Sequence, residues 1–116
     1  MASVNRRLTS ILATDCVGFS SLMEKDEEKT LENLKACRSI IDPYIEEFGG
    51  KIFYTAGDSV IAEFASPVSC VNAAINFQKA IDERNKVTEE SSIMTWRVGV
   101  HTVSYTHLTL PTSFLV

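Results

Sequence analysis

Two carboxylates, Asp15 and Asp58, are the side chains whose chemistry depends most on whether the fold brings them together. Asp15 lies three residues before Gly18, and Asp58 directly follows Gly57. Taken singly, an aspartate after a strand is ordinarily a turn or cap residue, and a Gly-Asp pair is ordinary hairpin chemistry. Placed side by side, two carboxylates repel each other unless a cation or a shared proton intervenes. Hard oxygen donors at an open site suit magnesium or manganese, which keep waters and bind phosphate oxygens along with one or two carboxylates. Gly18-Phe19-Ser20 follows Asp15 and opens a short helical turn. Successive backbone N–H groups in such a turn, at the positive end of a helix, can hold phosphate oxygens.

The elements that must position these residues are legible in the pattern of apolar side chains. Leu8 to Thr14 is a compact, mostly apolar run bounded by Asp15 and Gly18, which reads as a buried strand. Asp26 caps the following helix, with Glu27 and Glu28 in its first turn. Leu31, Leu34, Ile41, Tyr44, Ile45 and Phe48 form its apolar stripe, Pro43 is expected to kink it, and Gly49-Gly50 stops it. Lys51 to Thr55 and Ser59 to Phe64 are β-rich runs joined by Ala56-Gly57-Asp58 as a hairpin. Ser66-Pro67 starts a second helix, with Val68, Val71, Ala74, Ile75 and Ile81 as its expected buried face. Met94, Trp96, Val98 and Val100 alternate with Thr95, Arg97 and Gly99, the period of a strand buried on one face.

The resulting β-α-β-β-α-β order predicts an α+β, ferredoxin-like antiparallel sheet with both helices on one face and the first strand between the third and fourth. In that sheet the end of the first strand meets the beginning of the third. Asp15 and Asp58, far apart in sequence, then become neighbours on one edge.

The chain has 116 residues, room for one domain. Hydrophobic residues make up 45% and charged residues 22%, so it reads as globular and not as disordered or fibrous. A net charge of −4 argues against a broad phosphate-backbone footprint, and nucleic acid is not an expected partner. Three cysteines, Cys16, Cys37 and Cys70, lack metal-type spacing and fit a reduced, cytoplasmic setting. Asn5-Arg6-Arg7 followed by LTSILAT is too short and polar to be an export signal, and no window has the roughly 20 apolar residues of a membrane-spanning helix. His101 reads as a strand-end residue, with no Cys or carboxylate at ligand spacing.

Residues 6 to 101, with RRLTSILATDCVGFSSLM, IIDPYIEEFGGKIFYTAGDSVIAEF and WRVGVH, resemble the N-terminal part of a bacterial class III adenylate/guanylate cyclase catalytic domain. The match rests on Asp15 to Ser20, on Gly57-Asp58 and on their spacing across a long helix; neither motif alone would carry it. The resemblance implies that Asp15 and Asp58, with the backbone carbonyl of Cys16, ligate two Mg2+ or Mn2+ ions. It further implies that the amides of Gly18, Phe19 and Ser20 hold the β- and γ-phosphates of ATP or GTP beside the Gly57 turn, and that the complete domain works as a head-to-tail homodimer. The activity implied is two-metal intramolecular phosphoryl transfer, giving a 3′,5′-cyclic nucleotide and pyrophosphate.

Tyr54 stands where many adenylate cyclases of the family have an adenine-reading lysine. Its hydroxyl can donate or accept, so it does not choose adenine as a lysine does, and it also reads as an ordinary aromatic strand residue. The family's transition-state Asn and Arg have no counterpart after His101. Instead the chain ends in VSYTHLTLPTSFLV, which contains His107 and no charged residue. VSYTHLTLPT resembles a reading-frame translation of a transposase-type sequencing adapter. This implies a truncated cyclase domain over residues 1–102 and an artefactual tail over 103–116, with the truncated chain inactive. Two other functions fit the same residues: a catalytically silent cyclase-like dimerisation or sensory module, and another two-Asp, metal-dependent nucleotidyl-transfer enzyme.

Overall fold

The computed structural model describes the backbone of residues 3–109 and the side chains of 8–104. Four strands, β1 (Ser3–Cys16), β2 (Lys51–Ala56), β3 (Ser59–Phe64) and β4 (Trp96–Thr109), form one antiparallel sheet in the order β2-β3-β1-β4. Three helices connect them: a short α1 (Phe19–Lys25), α2 (Glu27–Glu47) and α3 (Pro67–Lys86). The first strand therefore lies between the third and fourth, as its sequence predicts, with α1 as an added turn before the long helix.

Local chemistry explains where the helices begin. The Asp26 side chain accepts from the Lys29 N–H at 3.0 Å, and Ser66 accepts from the Ser69 N–H at 3.2 Å with Pro67 in the first turn. α2 runs through Pro43 to Glu47, at the cost of one backbone hydrogen bond. It stops where Gly49 takes a φ of +83°, and the Gly50 N–H bonds back to the Ile45 carbonyl at 2.8 Å. A Cβ on Gly50 would press into the ring of Phe64 and lie 2.8 Å from Ile45 Cγ2. The end of α2 thus crosses the end of β3 at a point where only glycine fits.

Alternate residues of β3, Val60, Ala62 and Phe64, are buried against the helices. They pack with Leu12 from β1, Ile41 and Ile45 from α2, Phe77 and Ile81 from α3, and Trp96 from β4. Burying a side chain of this size stabilises by about 1.5–3 kcal/mol each. Among the described residues the other sheet face carries no helix, so β1 presents Ala13 and Asp15 to the outside between buried Leu12, Thr14 and Cys16.

The buried face of α3 differs from the sequence expectation. Cys70, Ala73, Ala74, Phe77 and Ile81 face the sheet, while Val68, Val71 and Ile75 are exposed. Both arcs are apolar at helical spacing. The inner arc wins because small Cys and Ala residues let the helix approach the sheet closely while Phe77 fills the core. On α2, Leu31 is likewise exposed, and Thr30 and Cys37 join Ile41 and Ile45 on the inner face.

Both edges of the β1–β4 pair run further than the apolar patterns suggest, from Cys16↔Trp96 to Ser3↔Thr109. The pairing passes Thr102 without a break. Backbone pairing on an open strand edge accepts almost any sequence, so it is indifferent to the origin of residues 103–109. Residues 110–116 of the tail lie outside the described residues.

Candidate functional site

The end of β1, the turn after it and the β2–β3 hairpin converge at one edge of the sheet. β1 pairs with β3 in a register whose last partners are Thr14↔Val60, so Asp15 and Cys16 run on past Ser59 toward Asp58. The meeting is made by a hydrogen bond: the Cys16 backbone N–H donates to Asp58 Oδ2 at 2.8 Å. A side chain on the hairpin turn thus closes the ladder where β1 leaves the sheet. Asp15, one residue earlier on the strand, faces the uncovered side.

Two glycines make this convergence possible. Gly57 has a φ of +57° and Gly18 a φ of +67°, a backbone region that other residues enter only at a cost. Gly57 sits at the hairpin turn, beside the closing pair Ala56↔Ser59. A Cβ placed on it would lie 3.9 Å from the ring of Phe19, so the turn after β1 and the hairpin are in contact. Gly18 caps α1 with no side-chain hydrogen bond to the cap. The first amides of that helix, among them those of Phe19 and Ser20, have no intrahelical partner. Thr95 anchors the same turn by accepting from the Val17 N–H at 2.8 Å.

The electrostatics are set by the two carboxylates and one cation. Cys16 is buried, and its thiol is pushed up to about 11, first by desolvation and then by the negative charges of Asp58 and Asp15. That field is the kind a cation relieves. The arrangement also contains a residue that sequence reasoning missed. Arg97, the β4 partner of Asp15, donates from Nε to Asp15 Oδ1 at 2.8 Å. The signal was present in the predicted sheet, because a first strand antiparallel to the fourth sets Arg97 opposite Asp15. The alternation of Met94 to Val100 marks the buried side of that strand and is silent on its exposed side.

Asp15 and Arg97 line a cavity of about 370 Å³ on this face, together with Ala13, Ser59, Ile61 and Gly99. Tyr54 pairs with Ile61, which pairs with Ala13, so the tyrosine stands on this same face. It is 52% exposed and does not pack on the helices. Among the described residues, no three His, Cys, Asp or Glu side chains come together at metal-ligand spacing. Two carboxylates carried to one sheet edge are oxygen donors of the kind a hydrated, oxygen-seeking cation uses, with its remaining ligands from water and substrate. No helix among the described residues is long and apolar enough to cross a membrane.

No protein-family model matches the chain. In sequence it is 39% identical over 100 residues to the putative adenylate cyclase 3 of Rhizobium meliloti (strain 1021), a match that covers 85% of this chain and 17% of that protein. In structure it is similar to an adenylate/guanylate cyclase/hydrolase from Silicibacter pomeroyi, with a TM-score of 0.78 and 33% identity over 90% of this chain and 62% of the other. A bacterial light-regulated adenylyl cyclase superposes with a TM-score of 0.80 at 18% identity, a likeness of fold, covering 86% of this chain and 55% of its counterpart. The chain spans less than two thirds of the length of each of these proteins.

Proposed function

We propose that this chain, related in sequence and fold to the class III adenylate/guanylate cyclases, is the metal- and phosphate-holding part of such a catalytic domain. The complete domain would be a cytoplasmic enzyme that converts ATP or GTP to a 3′,5′-cyclic nucleotide and pyrophosphate. The observation that carries this reading is the hydrogen bond from the Cys16 N–H to Asp58, which ties the two carboxylate-bearing strand ends together with Asp15 at their junction.

In this reading Asp15, Asp58 and the Cys16 carbonyl hold two magnesium or manganese ions. When bound, these ions supply charge neutralisation of the triphosphate and a lowered barrier to ionising the ribose 3′-hydroxyl. The protein's own groups do the positioning. Cys16 engages Asp58 Oδ2 and leaves Oδ1 for a cation. The amides of Gly18, Phe19 and Ser20 receive the β- and γ-phosphates, and Phe19, packed toward Gly57, fixes that turn against the hairpin. Tyr54 lies on the face from which a base would be approached, and its hydroxyl accepts either purine edge.

The residues that would stabilise the pentacoordinate phosphorus are not in this sequence, and 103–116 read as foreign to the domain. A homodimer with composite sites would leave the chain unable to complete its partner's site. Cyclic nucleotide formation in manganese and ATP is therefore expected to be absent for the chain as it stands. It should appear when residues 1–102 are joined to their native continuation, and vanish again on Asp15→Ala or Asp58→Ala. Activity of the 116-residue chain above that of its double Asp variant would overturn the proposal, as would a completed domain that is indifferent to both substitutions.

A further inference from the structure

Asp15 is already bound to a cation, and that cation belongs to the protein. The Arg97 guanidinium meets Asp15 through Nε at 2.8 Å across the β1–β4 register. The guanidinium is a permanent cation with donors in a fixed planar fork, so it holds the carboxylate by charge as well as by geometry. The pair is open to solvent, with the arginine side chain 68% exposed and the aspartate 38%. A long side chain so exposed has room to leave without disturbing the core.

We infer that Arg97 is a built-in competitor for the divalent cation at Asp15: it neutralises the carboxylate in the metal-free chain and must give up its contact when the ion binds. The inference rests on reading Asp15 as a cation ligand, and it adds to that reading a control on how tightly the ion is held. An arginine serving only to fix the strand register would leave metal affinity unchanged or, by disordering β4, weaken it on removal. A competitor does the opposite. Exposed ion pairs are weak, so removing one should tighten cation binding by about two- to fivefold. The effect should be larger at low salt, where the guanidinium and the incoming dication also repel each other with less screening.

The test is a manganese titration of the 116-residue chain followed by electron paramagnetic resonance of the free ion, comparing the unmodified protein with Arg97→Gln, Asp15→Asn and Asp58→Asn. The inference expects tighter binding for Arg97→Gln and weaker binding for both aspartate variants. A magnesium titration followed by proton–nitrogen NMR gives a second readout: the Arg97 Nε–H resonance should move in step with ion binding. If Arg97→Gln binds manganese no better while the aspartate variants bind worse, the competition is overturned and the ligand reading stands. If the Arg97 resonance ignores bound magnesium, the competition is likewise overturned. If neither the unmodified chain nor Arg97→Gln binds manganese, the ligand reading falls and the inference with it.

Discussion

Replacing Asp58 by alanine and by asparagine separates what its side chain does for the fold from what its charge does for the site. Asp58 Oδ2 accepts from the Cys16 N–H at 2.8 Å, at the point where β1 leaves the sheet. Alanine removes the acceptor and leaves that amide to whatever water reaches it; asparagine keeps an oxygen there and discards the charge. A hydrogen bond to a charged group contributes about 1.5–3 kcal/mol when buried, and the half-buried position of Asp58 reduces this to about 1 kcal/mol. For a domain near 100 residues that corresponds to a fall in Tm of about 4–8 °C. Circular-dichroism melts in metal-free buffer at pH 7 should show Asp58→Ala lowered by that amount. Asp58→Asn should remain within about 2 °C of the unmodified chain, since it also relieves repulsion from Asp15. Equal melting of the alanine variant and the parent, or an equal loss in both variants, would refute the idea that the bond to Cys16 fastens the hairpin to β1.

Two further outcomes follow from packing and from the buried thiols. Gly50→Ala drives a Cβ against Phe64 and Ile45 and should destabilise by about 1–3 kcal/mol, whereas Gly99→Ala, with nothing within 4 Å, should melt close to the parent. Similar melting temperatures for the two would show that the α2–β3 crossing adjusts freely. Burial raises the Cys16 thiol from an ordinary 9.0 to about 11 and raises Cys37 and Cys70 as well. Between about pH 9 and 11 the unfolded chain therefore loses thiol protons that the folded chain keeps, so folding stability falls as pH rises through that window. Denaturant titrations at pH 8 and pH 10.5 should show the loss, and a Cys16→Ala variant should lose less; equal losses would contradict the assignment.

The sheet order was legible because the first three strand runs are punctuated by a glycine or an aspartate and the two long helices begin at the capping side chains Asp26 and Ser66. Asp15 and Asp58 could be paired from topology alone, since an antiparallel first and third strand admits only one end-to-end meeting. The inner face of α3 was not legible. Val68, Val71 and Ile75 are as apolar as Phe77 and Ile81, and the choice between the two arcs is made by how closely Cys70, Ala73 and Ala74 let the helix approach the sheet. Arg97 was missed for a different reason: period-two alternation identifies the buried side of β4 and says nothing about what its exposed side meets. The extension of β1 to Ser3 and of β4 to Thr109 was also hidden, because backbone pairing between two long edges leaves no apolar signature.

Whether Asp15 and Asp58 share one centre for divalent cations is decided by calorimetric titration of the chain with manganese. Binding should be saturable, and Asp15→Asn and Asp58→Asn should each weaken it by at least about tenfold, as when one of two carboxylate ligands of a hard cation is lost. Saturable binding that survives both substitutions unchanged, or no binding by a chain that is folded by circular dichroism, would contradict a shared centre.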